Sequence, residues 1–368
     1  MRQTRQGRLR TTLAAALALK LTLALTLLSY AWADGFAPVL EGHRLTFPED
    51  SGAHPDFRTE WWYITGWLTD GQGRERGFQV TFFRVGTGIG ADNPSRFAPR
   101  QLILAHAAVA DPGTGHLIHA ERVDRALDPL SGATVGQTHA WIDDWSLSQD
   151  YDVYRTTIRA EAFDLDLTLT PSGPPLLNGR AGFSQKTPDP ANASYYYSRP
   201  QLAVDGGLRL ADQGLRVSGQ AWLDHEWSSE ILPEAAQGWD WIGINLDDGG
   251  SLMAFRMRHR DGSTLWAGGT LRRGGEAPQI LTPDQLHFEP GRRWQSPRTG
   301  ADYPVEWQIE IDGRQLALRP LMYDQELDGR RSTGVVYWEG ATRLFEDGRE
   351  IGRGYLEMTG YWRRPTGL

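Results

Sequence analysis

Beyond its first thirty-odd residues the chain is dominated by period-2 alternation. Phe163-Asp164-Leu165-Asp166-Leu167-Thr168-Leu169-Thr170 alternates without a fault, and Val305, Trp307, Ile309 and Ile311 alternate with Glu306, Gln308, Glu310 and Asp312. Met253, Phe255 and Met257 alternate in the same way with Ala254, Arg256 and Arg258. Successive side chains of a strand point to opposite faces, so each segment buries one face and wets the other, as antiparallel sheets do. Asp-Gly pairs at 70–71, 248–249, 261–262, 312–313 and 347–348 lie between such runs, where glycine's tolerance of positive φ suits a hairpin turn. No sustained helical repeat interrupts the pattern, which predicts an all-β fold.

The pattern also repeats. Trp61-Trp62-Tyr63-Ile64-Thr65-Gly66-Trp67-Leu68-Thr69-Asp70-Gly71 is echoed 178 residues later by Trp239-Asp240-Trp241-Ile242-Gly243-Ile244-Asn245-Leu246-Asp247-Asp248-Gly249. Each copy leads into a second apolar strand, ending Phe-Arg or Phe-Arg-Met-Arg. A weaker echo at an offset of 133 joins Gly219-x-x-Trp222-Leu223-Asp224 to Gly352-x-x-Tyr355-Leu356-Glu357. Such self-similarity predicts two related β domains, 34–230 and 231–368. The first carries its extra length in loops near 86–100 and 171–200.

The first 33 residues read as a leader rather than as structure. Arg2, Arg5, Arg8 and Arg10 precede an apolar stretch from Leu13 to Leu28, broken once by Lys20, and Ala31-Trp32-Ala33 forms a small-x-small cleavage pattern. The stretch is too short and interrupted for a comfortable bilayer span, and no Arg-Arg pair marks a twin-arginine route. Cleavage after Ala33 would remove five of the 38 basic residues and none of the 46 acidic ones. The mature protein is then strongly anionic, periplasmic or secreted, without a stable membrane anchor, and an unlikely partner for nucleic acid. The absence of cysteine excludes a disulfide framework, a thiolate metal site and a thiol nucleophile. A monomer or weak dimer is expected.

Acidic and aromatic residues cluster in four segments: 54–63, 184–199, 221–241 and 337–357. On a strand, Asp224 and Glu226 share one face with Trp222, while His225 and Trp227 take the other. A carboxyl held against indoles is desolvated, which raises its pKa and suits it to general-acid work, and aromatic faces stabilise a developing cation. Asp224, His225 and Glu226 are therefore the catalytic candidates, although buried acids also clamp arginines in purely structural roles. Glu60 stands beside two indoles and equally reads as a strand-start residue paired with Arg58 or Arg84. Trp61, Trp62, Tyr63, Trp239 and Trp241 read as core or pocket wall, with Arg84, His106, Tyr196, Trp222 and Trp227 completing the candidate ligand-binding set. Lys186, the single lysine after the leader, reads as a solvated loop residue or as a special amine. No metal is expected: His116-x-x-His119 lies in a strand or turn context, and no His-Glu-x-x-His occurs. No Gly-x-Ser-x-Gly elbow and no phosphate-binding glycine loop occurs either.

At these residues the sequence resembles the CrtC/AttH-like family, which includes carotenoid 1,2-hydratase and many exported proteins labelled predicted secreted hydrolases. The likeness starts at Phe47-Pro48-x-Asp50-x-Gly52-x-His54 and Glu60-Trp61-Trp62-Tyr63-x-x-Gly66. It runs through Phe82-Phe83-Arg84, Ala105-His106-Ala107, Ser194-Tyr195-Tyr196-Tyr197-Ser198, Asp224-His225-Glu226-Trp227 and Gly238-Trp239-Asp240-Trp241. It ends at Tyr337-Trp338-Glu339-Gly340 and Gly354-Tyr355-Leu356-Glu357. The resemblance implies two lipocalin-like antiparallel β-barrels packed together, and it implies catalysis by acidic and aromatic residues with water and no cofactor. Asp224, His225 and Trp227 are the positions carried over. An export leader departs from enzymes of carotenoid synthesis, so the substrate class is read only as apolar, isoprenoid or lipid-like. Three activities are compatible: alkene hydration, with Asp224 or Glu226 as acid and His225 orienting water; ligand carriage without chemistry; and pericyclic or hydrolytic chemistry on the same fold. For the leader, N-terminal sequencing of the protein recovered from its native compartment should read from Asp34; a start at Met1 would overturn cleavage.

Overall fold

The computed structural model describes residues 35–90, 92–230 and 232–365, so the leader and its cleavage site lie outside the described residues. A 13-stranded antiparallel sheet takes in every strand from Thr59–Asp70 to Gln213–Ser228. A 10-stranded sheet starts at Gly238–Leu246 and ends at Arg349–Thr359, and Arg293–Gln295 with Asp302–Pro304 forms a small ribbon beside it. The helical elements among the described residues are two three-residue 3-10 turns. In the first sheet, Gln101–Ala110 and Leu117–Arg125 at one end pack against Ser131–Ala133 and His139–Ile142 at the other, which nearly closes a barrel. The second sheet curls until Leu286–Pro290 meets Thr264–Arg272.

All five Asp-Gly pairs fall between consecutive antiparallel strands. At two of them both turn residues have positive φ: Asp312 (52°) with Gly313 (78°), and Asp347 (49°) with Gly348 (79°). That is the two-residue turn whose twist matches the flanking strands.

The repeat occupies matching places in the two sheets. Thr59–Asp70 sits between Glu75–Gly86 and Gln213–Ser228, and Gly238–Leu246 sits between Ser251–Arg258 and Arg349–Thr359. Tyr63 pairs with Asp224 across the ladder, and Trp241 pairs with Glu357. The two sequence offsets thus describe one conserved strand pairing.

Side chains fill the interior of both barrels. Trp62, Ile64, Phe78, Val80 and Phe82 pack with Leu165 and Leu223 in the first, and Ile242, Ile244, Trp307, Leu344 and Leu356 pack in the second. Small barrels leave little room beyond this. The opposite faces of the same strands carry a third apolar cluster, in which Tyr63, Trp67 and Trp222 of the first barrel meet Trp241, Met253, Phe255 and Tyr355 of the second. Trp67 spans the junction: its indole N–H donates to the Gly354 carbonyl at 3.0 Å, and the Arg343 and Arg353 guanidinium carbons lie 4.4 and 5.4 Å from its ring centre. Glu75 of the first barrel pairs with both arginines. Truncating a buried tryptophan costs about 3–5 kcal/mol. Trp67→Ala should therefore lower the unfolding free energy in urea by that amount; a loss under 1 kcal/mol would place the junction's stability elsewhere.

Candidate functional site

A cavity of about 130 Å³ lies between the barrels. The first barrel contributes Trp61, Tyr63, Phe83, Asp224 and Glu226, and the second contributes Trp239, Trp241, Phe255, Tyr337, Glu339 and Glu357. Strand parity explains the list. Trp61 and Tyr63 face outward because Trp62 and Ile64 face into the first barrel; Glu339 and Glu357 do so because Trp338, Leu356 and Met358 face into the second. Lys186 and the exposed Glu230 also line the cavity.

Besides Glu230, four carboxyl groups share this aromatic space. Asp224 is buried, and its carboxyl accepts three hydrogen bonds: Ser198 Oγ at 2.5 Å and Trp222 Nε1 at 2.6 Å on Oδ1, and Tyr196 O–H at 2.7 Å on Oδ2. Burial outweighs these donors and pushes its pKa up to about 7. Tyr196 is in turn held by Trp241 Nε1 at 3.0 Å, so both barrels orient Asp224. Glu357 accepts from Trp239 Nε1 at 2.8 Å and Thr359 Oγ1 at 3.1 Å, both on Oε1, and desolvation raises it to about 7 as well. Its ladder partner is Glu339. Burial, followed by the charge of Glu357, drives Glu339 well above the ordinary carboxylate range. Among the described residues, Glu339 Oε2 and the neighbouring Tyr63 hydroxyl have no hydrogen-bond partner. Glu226, by contrast, is paired with Lys186 at 2.6 Å and accepts from Ser194. The Lys186 ammonium lies 4.6 Å from the Phe255 ring centre and 5.0 Å from that of Tyr196. It is a cavity-wall cation rather than a solvated loop residue.

The inward face of the same strands carries a separate polar network. Glu60 Oε2 accepts from Arg84 Nε at 2.7 Å, while its Oε1 lies 2.9 Å from His225 Nε2 and 2.6 Å from His54 Nδ1. His54 reaches Asp50 at 3.1 Å with its other nitrogen. Burial alone would raise Glu60, but its hydrogen bonds from His225 and His54 and the Arg84 charge hold it far below the usual range. His54 is raised because Asp50 and Glu60 outweigh its desolvation, and burial lowers His225. His54 stacks on Trp227 with centroids 3.8 Å apart, and His225 stacks on Trp62 at 4.7 Å. The ligand atoms of His54, Glu60 and His225 lie within 4.8 Å of one another, close enough to hold a metal ion. The groups are already matched as donors and acceptors, however, and the Arg84 guanidinium on the shared carboxylate opposes a further cation.

The structure therefore divides the candidate residues. Trp61, Tyr63, Asp224, Glu226, Trp239 and Trp241 line the cavity; Tyr196 and Trp222 stand one layer behind, holding Asp224. His106 bonds the cavity residue Tyr337. Glu60, Trp62, Arg84, His225 and Trp227 do not border the cavity, because each has the parity that faces the first barrel. His225 thus cannot orient water there. Glu339 and Glu357 join the site without having been singled out as site residues, although the offset that carries Asp224 onto Glu357 pointed to the latter.

Asp224 has a consequence for stability. Its pKa rises from 3.8 to about 7 on folding, so between those values the folded protein holds a proton that the unfolded chain has released. Stability therefore falls as pH rises through that window, by at most about 1.4 kcal/mol per pH unit for this group. Asp224→Asn should flatten the decline of Tm with pH there in scanning calorimetry; an unchanged slope would contradict a protonated Asp224.

The AttH-like family profile matches residues 38–361. The AttH-type protein of Nitrosomonas europaea is similar at 49% identity and a TM-score of 0.83, covering 89% of this chain and all (100%) of that one. Kievitone hydratase of Nectria haematococca shares the fold at 16% identity and a TM-score of 0.67, over 90% of this chain and 97% of its own. CghA does so at 13% identity and a TM-score of 0.53, over 91% and 98%. No curated protein matches. The inter-barrel architecture and the sequence match together place this chain in the AttH-like family.

Proposed function

We propose that this protein adds water to an alkene carried by an apolar, isoprenoid-like molecule, in the cavity between its barrels. One observation carries the reading. Two carboxyls face a single aromatic cavity from opposite barrels, and their environments set them apart: burial and the Glu357 charge push Glu339 well above the ordinary carboxylate range, while Asp224 sits at about 7. Carboxyl groups whose pKa values are pushed to different levels are the mark of an acid–base pair.

Glu339 gives its proton to one alkene carbon, and the π electrons form the new C–H bond. The cation left on the more substituted carbon faces the indoles of Trp61, Trp239 and Trp241, whose ring quadrupoles stabilise it. Water then bonds through oxygen, and Asp224 takes the proton that water loses. Tyr196, Ser198 and Trp222 keep the Asp224 oxygens aimed. Asp224 thus acts as base rather than acid, and the inward-facing His225 takes no part. An apolar cavity of about 150 Å³ binds a benzene, so about 130 Å³ fits roughly a five- or six-carbon unsaturated unit. The remainder of the molecule would extend past Lys186 and Glu230. The name of kievitone hydratase supports the reaction class through shared fold alone. The Arg-rich leader supports a reading of the protein as exported, with its site in the periplasm or outside the cell.

Incubation with isoprenoid alkenes in oxygen-labelled water should give a product heavier by one labelled water. Glu339→Gln should cut the rate by about 10² or more while quenching of tryptophan fluorescence by the same alkene is retained. A product of unchanged mass would replace hydration with a pericyclic rearrangement. Tight quenching with the alkene recovered intact would make the protein a carrier.

A further inference from the structure

A second pocket, of about 490 Å³, lies at the end of the second barrel where Gly238–Leu246 begins and Ser251–Arg258 ends. Its size falls within the roughly 300–1,000 Å³ of small-molecule sites. Four arginines line it: Arg256, Arg258, Arg260 and Arg293. Its strands also wall the cavity between the barrels, but with the opposite parity. Trp239, Trp241, Phe255 and Met257 face that cavity, while Asp240 and Arg256 face into the second barrel, where the Arg256 guanidinium carbon lies 4.8 Å from the Trp307 ring centre.

Charge is unevenly matched here. Asp240 is fully buried, and its Oδ2 lies 2.7 Å from Arg256 Nε and 2.9 Å from Arg258 Nε. Its Oδ1 accepts from the Tyr361 hydroxyl at 3.0 Å. One carboxylate thus answers two guanidinium groups whose side chains are only 8% and 5% exposed. Positive charge at such depth needs matching acceptors. Arg258 finds further ones, since its Nη2 donates to the carbonyls of Trp239 and Thr359. Arg256 does not: among the described residues its Nη1 and Nη2 have no hydrogen-bond partner, and Nε alone is bonded.

The first barrel shows what an arginine in this position can be given. Its corresponding pair is Glu60 and Arg84, again an inward acid opposite an inward arginine on the next strand. There Arg84 Nη2 donates to the carbonyls of His54 and Phe57, both at 2.8 Å, in the segment before Thr59–Asp70. The described chain brings no such oxygens to Arg256, which lines the pocket instead. Arg260, on the exposed turn after Ser251–Arg258, forms no ion pair among the described residues. Arg293 is matched by Asp302 at 2.6 Å. Asp261 also lines the pocket, with its Oδ1 taken up by the Ser263 amide and hydroxyl. Four arginines therefore face three carboxylates, in a chain whose 46 acidic residues outnumber its 38 basic ones.

We infer that this pocket binds the oxyanion head, carboxylate or phosphate, of a small organic molecule, with Arg256 as its fork and Arg260 at its rim. The in-plane N–H groups of a guanidinium match two oxygens of one oxyanion, which a lysine ammonium does not. Those oxygens would serve Arg256 as the His54 and Phe57 carbonyls serve Arg84. A bare inorganic ion fills only a small part of the volume, so the ligand carries an organic body as well, set against Tyr361, Pro290 and Pro304. The inference depends on neither hydration nor any alkene, because the pocket and the inter-barrel cavity lie on opposite faces of the same strands.

Isothermal titration calorimetry of the full mature chain with phenyl phosphate, benzoate, inorganic phosphate and neutral benzamide tests this. At least one of the two organic anions should bind, more tightly than inorganic phosphate, and benzamide should give no heat. Whichever of phenyl phosphate and benzoate binds more tightly identifies the oxyanion. Arg256→Lys keeps the charge and loses the fork, and should weaken binding about tenfold or more. Arg260→Gln alters an exposed turn, where substitutions leave folding nearly unchanged, and should weaken binding about threefold; it keeps the test open where Arg256→Lys does not fold. Four results would overturn the proposal: no binding of either organic anion at up to about 10 mM, benzamide bound as well as benzoate, inorganic phosphate bound as tightly as phenyl phosphate, or anion binding that the folded variants leave intact.

Discussion

The strands at the centre of this molecule have no wet face. A β-strand alternates its side chains between two sides, and here one side fills a barrel while the other is pressed against the second barrel. Tyr63 and Trp62, or Glu339 and Trp338, are adjacent in the chain and lie in different apolar environments, both shut off from water. Every polar group on these strands must therefore be matched by a neighbour or be held uncharged. The rest of the chemistry follows from that condition.

The two faces meet it in opposite ways. On the inward side Glu60 is surrounded by donors, including a guanidinium and two imidazoles, and its carboxylate is stabilised despite full burial. On the outward side Asp224, Glu339 and Glu357 face indoles, phenols and one another, and desolvation dominates. The burial is similar and the outcome differs because of the partners. The inward network therefore ties Asp50 and His54 to the strands of the first barrel, and the outward acids are pushed above the ordinary carboxylate range.

The internal repeat adds a second level of order. Matching strands in the two barrels face one another across the junction, so each copy places an acid with an indole N–H donor at the cavity: Asp224 with Trp222, and Glu357 with Trp239. The copies have diverged at this surface. Lys186 and Ser194 attend the first half, and Glu339 with Tyr337 attends the second. A quasi-symmetric junction of this kind gives one cavity two different walls. Kievitone hydratase and CghA share this fold, and a fold alone does not fix chemistry, which resides in the residues grafted on it.

Much of this was legible in the residues alone. Period-2 alternation and the Asp-Gly pairs determined an all-β chain with hairpins at the stated places, because strand geometry and positive φ are local properties. The offset of 178 marked two strands that take matching places in the two sheets, and parity alone put Asp224 and Glu226 on one face with His225 and Trp227 on the other. Parity could not say which face looks at a cavity, since Glu60-Trp61-Trp62 reads as equally aromatic on both sides. It also gave no sign that Glu339 stands opposite Glu357, that Lys186 reaches Glu226, or that His106 and Tyr337 touch although 231 residues apart. Those are properties of how two barrels dock. Docking decided where water is excluded, and hence which carboxyls are pushed above their ordinary pKa.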